Sequence, residues 1–239
     1  MFIDAPLERG RSIAPEKKQC HYLSNVLRLK AGARARLFNG RDGEWLCELT
    51  QSGKKGCALT CIEPLPHLPP PPDIDHLFAP LKHARLDYMV QKATELGARR
   101  LRPVLTDFTM ARRVNLARMR ANAVEAAEQC NLVHVPEVLE PVRLEEALAE
   151  WEGRRTLIHC DEAAPLSDPI EALRRVPKGP LAVLIGPEGG FSERERRMLK
   201  EAPFARAISL GPRIMRADTA AVAALALVQA VLGDWRGED

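Results

Sequence analysis

The sequence predicts an α/β protein in which a domain built on a parallel sheet, residues 74–239, follows a small β-rich domain, residues 1–66. Strand-like and helix-like segments alternate in the larger part, which is typical of a parallel sheet. Short strand-like segments separated by turn signals fill the smaller part, which is typical of hairpins. A proline-rich run between the two parts cannot enter a helix or a central strand, so residues 67–73 are predicted to be a stiff linker.

The β-rich domain is expected to contain one helix and a clear hairpin. Residues 21–29 have the apolar and polar spacing of a short amphipathic helix. The segment 39–43, Asn-Gly-Arg-Asp-Gly, carries two dipeptides of the kind that close hairpins. A second polar turn is expected at residues 51–56. The predicted strands are residues 33–38, 44–50 and 57–62.

The larger domain is expected to alternate strands and helices from residue 74 onward. Gly97 marks the end of its first helix, because glycine is favoured just beyond the last helical residue. The last helix, residues 219–232, is apolar almost all round, so it must be buried on several sides or form a subunit interface. The predicted strands are residues 74–80, 101–105 and 156–160, and the other helices are residues 86–96, 115–130 and 144–151.

Residues 181–219 organise this domain. Residues 181–185 form a buried strand that runs into a loop with three glycines, which allow positive φ angles and close approach to a ligand. Ser192 and Glu195 then form a capping box that opens a helix. A further strand, residues 205–210, ends in a second tight loop, residues 211–216. Because the carboxyl ends of parallel strands form the ligand crevice, both loops are expected there, side by side.

The loops do not match the common phosphate-binding motifs. No Gly-Lys-Ser/Thr follows the first loop, and the chain has no Gly-x-Gly-x-x-Gly. The charged residues nearby lie among mostly apolar neighbours; they are Glu188, Arg213, Arg216 and Asp218. This composition suits a flat zwitterionic ligand better than a triphosphate. Two ordinary turns in a sheet protein are the alternative.

Several classes of protein are disfavoured by composition. The N-terminus has no apolar signal region, and the most apolar stretch, residues 220–232, is too short to span a bilayer. The six cysteines form no Cys-x-x-Cys pair and accompany no histidine cluster. We therefore expect free thiols in a reducing cytoplasm and no metal site.

The charge distribution indicates a polyanionic partner. The net charge of the 239 residues is only +3, but basic residues far outnumber acidic ones between residues 82 and 120. The reverse holds between residues 121 and 175. A basic zone beside an acidic one favours nucleic-acid binding on one side of the molecule, although solvated helix faces would give a similar pattern.

Five ordered motifs resemble the ribosomal RNA uridine N3-methyltransferases of the SPOUT superfamily, and the resemblance covers nearly the whole chain. The paired motifs LIGPEGGFSERE (184–195) and LGPRIMRADTAAVAAL (210–225) carry most of it. The others are KHARLDYMVQKATELGARRLRPV (82–104), EAAEQC (125–130) and HYLSNVLRLKAG (21–32).

The resemblance implies a fold and an activity. The larger domain would be a SPOUT methyltransferase domain with a deep trefoil knot, which sequence rules alone would exclude. The smaller domain would be a PUA-like RNA-binding β-barrel. The cofactor would be S-adenosyl-L-methionine and the substrate a specific uridine of 16S ribosomal RNA in the small subunit. The catalytic unit would be a cytoplasmic homodimer, and we expect Leu225 and Val228 of the last helix to face the partner.

The resemblance also assigns residues to roles. Arg216 would stabilise the uracil oxygens, and Asp218 would orient Arg216 or accept the N3 proton; alternatively, Asp218 or Thr219 merely caps the last helix. The cofactor would be held by Leu184, Ile185, Gly186, Glu188, Gly189, Gly190, Leu210, Gly211, Ile214, Met215 and Thr219. RNA contacts would come from Arg28, Lys30, Arg34, Arg36, Lys54, Lys55, Lys82, Arg85, Arg112 and Arg113.

The chain departs from the family pattern at three positions. Leu132 and Phe108 stand where arginines are usual, and Asp218 stands where glutamate is usual. The first two departures bear on RNA contacts, and the third on the proposed catalytic carboxylate. Two other functions therefore stay open: ribose 2′-O-methylation of transfer or ribosomal RNA by a member of the same superfamily, and RNA binding without catalysis.

Overall fold

The computed structural model of the protein describes residues 1–53, 56–151, 153–161 and 168–236. Its contacts group the chain into two compact units. The first comprises Met1–Pro70 with Ala127–Val135, and the second comprises Pro71–Ala126 with Pro136–Asp239. The linker and domain boundaries drawn from the proline-rich run stay a prediction. Lys54 and Lys55, two of the predicted RNA contacts, and most of the acidic segment 161–164 lie outside the described residues.

The first unit is built on a four-stranded antiparallel sheet in which the predicted hairpin is confirmed. Asn39 closes the turn between the second and third strands, because its side-chain oxygen accepts hydrogen bonds from the N–H groups of Arg41 and Asp42. Leu37, Leu49 and Leu59 are fully buried in its core. The strands, in sheet order, are β1 (Ser12–Ile13), β4 (Gly56–Leu65), β3 (Glu44–Gly53) and β2 (Arg34–Phe38).

The helix of this unit begins earlier than the sequence pattern predicts. Helix α1 (Lys17–His21) continues as a short π-helix (Tyr22–Val26), so the prediction of a helix over residues 21–29 was wrong at both ends. The start is fixed by the side chain of Gln19, which accepts a hydrogen bond from the N–H of Glu16 at 3.1 Å. The end is fixed by Arg28, which has a φ of 54° and leaves the helical conformation.

The expectation of six free thiols was wrong for one pair. Cys20 of α1 and Cys57 of β4 are joined by a disulfide, although 37 residues separate them. Cys47 and Cys61 are buried in the same sheet with their sulfur atoms 3.4 Å apart. Burial and the neighbouring Cys61 raise the pKa of Cys47. The spacing of the cysteines in the sequence does not predict this disulfide. The Cα atoms of Cys20 and Cys57 lie 5.6 Å apart only because the chain folds α1 against β4.

The second unit confirms the predicted parallel sheet. Every strand pair in it is parallel. The central strand Leu181–Ile185 is buried along its whole length, as its uninterrupted apolar run predicts. In sheet order the strands are β11 (Ala205–Ile208), β9 (Thr156–Cys160), β10 (Leu181–Ile185), β5 (Ile74–Phe78), β6 (Arg100–Leu105) and β7 (Glu137–Val138), with β8 (Val142–Arg143) also paired to β6.

The predicted helices of this unit are confirmed to within a few residues at each end. The capping box of Ser192 and Glu195 is formed, because each side chain accepts the backbone N–H of the other residue. A helix over residues 169–174 was not predicted; Asp168 caps it by accepting the N–H of Ile170. The helices are α2 (Ala84–Glu95), α3 (Leu116–Gln129), α4 (Leu144–Ala149), α5 (Pro169–Arg174), α6 (Glu193–Glu201) and α7 (Ala217–Val231).

Ion pairs join the amino ends of the central strands. Arg155 is almost fully buried; it pairs with Asp73 at 3.0 Å and donates to the carbonyl oxygen of Leu181. Arg100 pairs with Asp75 at 2.7 Å. Elsewhere in the unit, Arg118 of α3 pairs with an acidic residue of α2. For Arg100 and Arg118, structural ion pairing therefore accounts for part of the basic zone between residues 82 and 120.

Helix α7 packs against α2, α5 and β10, and this packing corrects the predicted partner-facing residues. Leu225 and Val228 are 1% and 0% exposed within the single chain, so they cannot face a second subunit. The half-exposed apolar side of the helix instead carries Ala223, Ala226 and Leu227. No helix in the described part of the chain combines the length and apolar character needed to cross a membrane.

Candidate active site

The two glycine-containing loops meet at the carboxyl edge of the parallel sheet, although their strands are not neighbours. Strand β9 lies between β10 and β11 in the sheet. The expectation that both loops lie side by side at this edge is confirmed. The loops line one open cleft, together with Cys160 and Asp161 at the end of β9. The cleft therefore takes residues from three strand ends instead of two.

Most of the predicted cofactor residues line this cleft. They are Ile185, Gly186, Glu188, Gly190, Leu210, Gly211, Ile214 and Met215. Leu184, Gly189 and Thr219 are not among the lining residues. Leu184 points into the core because successive residues of a strand face opposite sides, and Ile185 next to it takes the cleft side. These placements leave the binding roles themselves as predictions.

The glycines of the cleft serve two different purposes. Gly190 and Gly211 have φ angles of 68° and 98°, which disfavour any residue with a side chain. Gly186 has no positive φ; a Cβ atom there would lie 3.0 Å from the ring of Phe191. Gly189 has no positive φ either. Of the three glycines that allow positive φ in the first loop, only Gly190 adopts it.

The lining residues that were not predicted to bind the cofactor include Cys160, Asp161, Phe191 and Ser209. Burial raises the pKa of Cys160 to about 12, so its thiol stays protonated at neutral pH. The Asp161 carboxylate lies 3.7 Å from the Nε atom of Arg196 and is mostly buried. The strand over residues 156–160 was itself predicted, and its position beside β10 is what brings Cys160 and Asp161 to the cleft.

The charges around the cleft are of both signs. Glu188 accepts a hydrogen bond at 2.9 Å from Arg85, which lies in the first turn of α2. Arg213 of the second loop is exposed and also lines the cleft, as does Asp161. This mixture of acidic, basic and apolar surface agrees with the zwitterionic ligand that the sequence favours.

The two predicted catalytic residues lie at the start of α7. Arg216 is exposed and is the N-cap residue of the helix, so the alternative that Asp218 or Thr219 caps it was wrong. Asp218 accepts a hydrogen bond from the N–H of Thr219 at 3.0 Å. Neither Arg216 nor Asp218 lines the cleft, but Met215 and Ala217 on either side of Arg216 do.

A hydrogen-bond network holds the first loop in place. Glu195 is buried; its two carboxylate oxygens accept the N–H of Asp107 at 2.8 Å and the N–H of Ser192 at 2.9 Å. The Asp107 carboxylate accepts from the Ser192 hydroxyl and from Arg194. These hydrogen bonds hold the pKa of Asp107 below its usual value. The network joins the turn after β6 to the loop after β10.

The described residues among the predicted RNA contacts are mostly exposed. Arg36 lies 3.7 Å from Glu44, and Arg85 is paired with Glu188, so these two cations are partly neutralised. Leu132, at the position where the family has an arginine, is half-buried. The exposed residues are Arg28, Lys30, Arg34, Arg36, Lys82, Arg112 and Arg113.

Comparison with known proteins gives a consistent result along the chain. Residues 69–229 match the model of an RNA methyltransferase domain, and residues 15–60 match that of an RNA methyltransferase PUA domain. The chain is 30% identical to ribosomal RNA small subunit methyltransferase E of Rickettsia conorii, over 87% of this chain and 85% of that protein. It is also 30% identical to the protein of that name from Synechocystis, over 90% of this chain and 71% of that protein.

A solved structure agrees with these sequence matches. The crystal structure of a ribosomal RNA small subunit methyltransferase E from Neisseria gonorrhoeae, bound to S-adenosyl methionine, superimposes with a TM-score of 0.84. The match covers 98% of each chain at 28% sequence identity.

Proposed function

Since the chain belongs to the RNA methyltransferase family and carries its PUA domain, we propose that it methylates N3 of a specific uridine in the 16S ribosomal RNA of the small subunit. It is an S-adenosylmethionine-dependent methyltransferase. The observation that carries the proposal is the cleft in which two tight loops converge at the carboxyl edge of the sheet. A ribosomal RNA substrate implies that the enzyme works in the cytoplasm.

The residues of the cleft fit S-adenosylmethionine. Ile185, Leu210 and Met215 offer apolar surface for an adenine ring, and the glycines of both loops carry no side chain that would keep the ligand from the backbone. Glu188 and Asp161 supply negative charge for a cationic ligand. S-adenosylmethionine supplies the methyl group as an electrophilic sulfonium carbon. The residues of the cleft align the acceptor with that carbon, and such positioning lowers the barrier by about 7–11 kcal/mol in well-oriented systems.

The acceptor nitrogen must also lose a proton. N3 of uracil is protonated at neutral pH, and its lone pair becomes available only when that proton leaves. We assign the acceptance of the proton to the Asp218 carboxylate and the stabilisation of negative charge on the uracil oxygens to Arg216. The position of both residues at the start of α7, next to lining residues Met215 and Ala217, supports these roles.

The proposal includes two further properties of the family, a trefoil knot and a homodimer. The segment after β11 would pass through an earlier loop to form a deep trefoil knot. Two copies of the chain would form a homodimer through the half-exposed apolar side of α7, where the alanines permit close approach of helices.

The position of the methyl group tests the proposal. Small subunits from a strain that lacks the enzyme would be incubated with the protein and isotopically labelled S-adenosylmethionine, and the 16S RNA would be digested to nucleosides for mass spectrometry. We expect labelled 3-methyluridine at a single site. Label on ribose would instead establish the 2′-O-methyltransferase alternative, and absence of label with retained RNA binding would establish the non-catalytic one.

A further inference from the structure

Phe108 is an exposed aromatic residue on a rigid turn beside the cleft. Its side chain is 49% exposed, although a large apolar ring is ordinarily buried. The turn that carries it is closed by two buried threonines: the Thr109 hydroxyl accepts the N–H of Thr106 at 2.8 Å, and the two hydroxyls lie 2.8 Å apart. The ring is therefore exposed on a turn that cannot easily fold it away.

The turn is fixed to the first glycine loop of the cleft. Glu195 bridges the N–H groups of Asp107 and Ser192, as described above. The Cβ atom of Phe108 lies only 3.4 Å from where a Cβ atom of Gly189 would be. One side of Phe108 therefore rests on the loop that lines the cofactor cleft, and the remainder of the ring faces solvent.

Two exposed arginines follow the turn. Arg112 and Arg113 are exposed, and neither forms a hydrogen bond or ion pair with any residue in the described part of the chain. Met110 is 74% exposed. Unpaired arginines beside an exposed aromatic ring are the elements from which proteins build sites for single-stranded nucleic acid, because bases stack on the ring while phosphates contact the cations.

We propose that Phe108 is a stacking platform for an unpaired base next to the target uridine, and that Arg112 and Arg113 hold the adjoining phosphates. This proposal rests on the proposed function, since it takes the polyanion to be the substrate RNA. Phe108 then contributes to substrate binding from a position where the family usually has an arginine. The rigid turn favours stacking, because little backbone freedom remains to be lost when the base binds.

Affinity for 16S RNA tests the proposal. The dissociation constant of a 16S RNA transcript would be measured for the full chain, for Phe108→Ala and Phe108→Tyr, and for Trp235→Ala, which removes an exposed aromatic residue elsewhere. We expect Phe108→Ala to weaken binding by about 5- to 150-fold, the range found for loss of one stacked base. Phe108→Tyr and Trp235→Ala should stay within about twofold of the parent chain, because tyrosine keeps the stacking face.

Salt dependence separates stacking from charge. Removing Arg112 and Arg113 together should flatten the dependence of log K on log salt by about 0.7 to 0.9 per lost phosphate contact, whereas Phe108→Ala should leave that slope unchanged.

Unchanged RNA affinity in Phe108→Ala would overturn the proposal that Phe108 is a stacking platform. A parallel loss of S-adenosylmethionine affinity in Phe108→Ala would also overturn it, because Phe108 would then only support Gly189. A changed native mass of Phe108→Ala would overturn it as well, because Phe108 would then contact a second protein chain. Because RNA binding is measured directly, a chain that binds through Phe108 but transfers no methyl group would contradict the proposed function and not the platform.

Discussion

Asp218 is the residue on which the proposed proton transfer depends. Replacing it by asparagine keeps its size and its ability to accept a hydrogen bond but removes its basicity. If Asp218 accepts the N3 proton, Asp218→Asn should lower kcat by about 10²- to 10⁴-fold, the usual contribution of a general base. Binding of S-adenosylmethionine should not change, because Asp218 does not line the cleft.

The matched control is Asp218→Glu, which restores the residue usual in the family and should keep most of the activity. Single-turnover methylation of small subunits gives the rates, and titration with S-adenosylmethionine gives the affinity. Equal rates for Asp218→Asn and the parent chain would exclude Asp218 as the base and leave it only the role of orienting Arg216.

His76 should make stability depend on pH. It is fully buried in β5, stacked on Phe78, and burial lowers its pKa to about 4. In the unfolded chain its pKa is near 6.5. Because the folded-state pKa is the lower one, the stabilisation is complete above pH 6.5 and is lost as the pH falls toward 4. Between pH 7 and pH 5 this histidine alone should reduce the free energy of unfolding by about 2 kcal/mol.

Urea unfolding of the parent chain and of His76→Leu at both pH values measures this contribution, with His67→Leu as an exposed control. We expect the decrease in the free energy of unfolding to be about 2 kcal/mol smaller in His76→Leu, and unchanged in His67→Leu. An identical decrease in all three chains would mean that His76 is not the group that titrates.

At the scale of single elements, the sequence predicts best where local pattern and tertiary environment agree. Strands β9 and β10 were predicted with both ends correct. For β10 the reason is its uninterrupted apolar run, which is the signature of a strand buried on both faces. The start of α6 was predicted from its capping box, which is a local hydrogen-bond pattern. Helix α1 was misplaced because five residues are too short for a hydrophobic period to show.

Pairing between elements could not be predicted from local pattern. Nothing in the sequence of β9 indicates that it lies between β10 and β11, and for that reason Cys160 and Asp161 were missed as residues of the cleft. The expectation that Leu225 and Val228 of α7 face a partner failed for a similar reason. A helix that is apolar all round gives no sign of which side its own chain covers.

At the scale of the whole molecule, the half-exposed side of α7 predicts the assembly. Leu227→Glu places a charge on that side and should dissociate the proposed homodimer into folded 26.5 kDa chains. Leu225→Glu places the same charge in the core of one chain, where an unpaired carboxylate is strongly destabilising, and should unfold it. Light scattering with circular dichroism distinguishes the two results. A parent chain that already has the mass of one subunit at micromolar concentration would contradict the homodimer.

The proposed enzyme requires one S-adenosylmethionine site in each chain, formed where the two loops converge. Isothermal titration of the protein with S-adenosylmethionine should give one site per chain. Gly211→Ala should weaken that site by about 5- to 30-fold, because a Cβ atom at a φ of 98° costs about 1–2 kcal/mol of backbone strain. The loop relieves this strain by leaving the conformation that lines the cleft, and binding must restore that conformation. Gly153→Ala, at an open position without positive φ, should leave the affinity unchanged. No binding to the folded parent chain, or equal affinity in a folded Gly211→Ala variant, would contradict the placement of the methyl donor in this cleft.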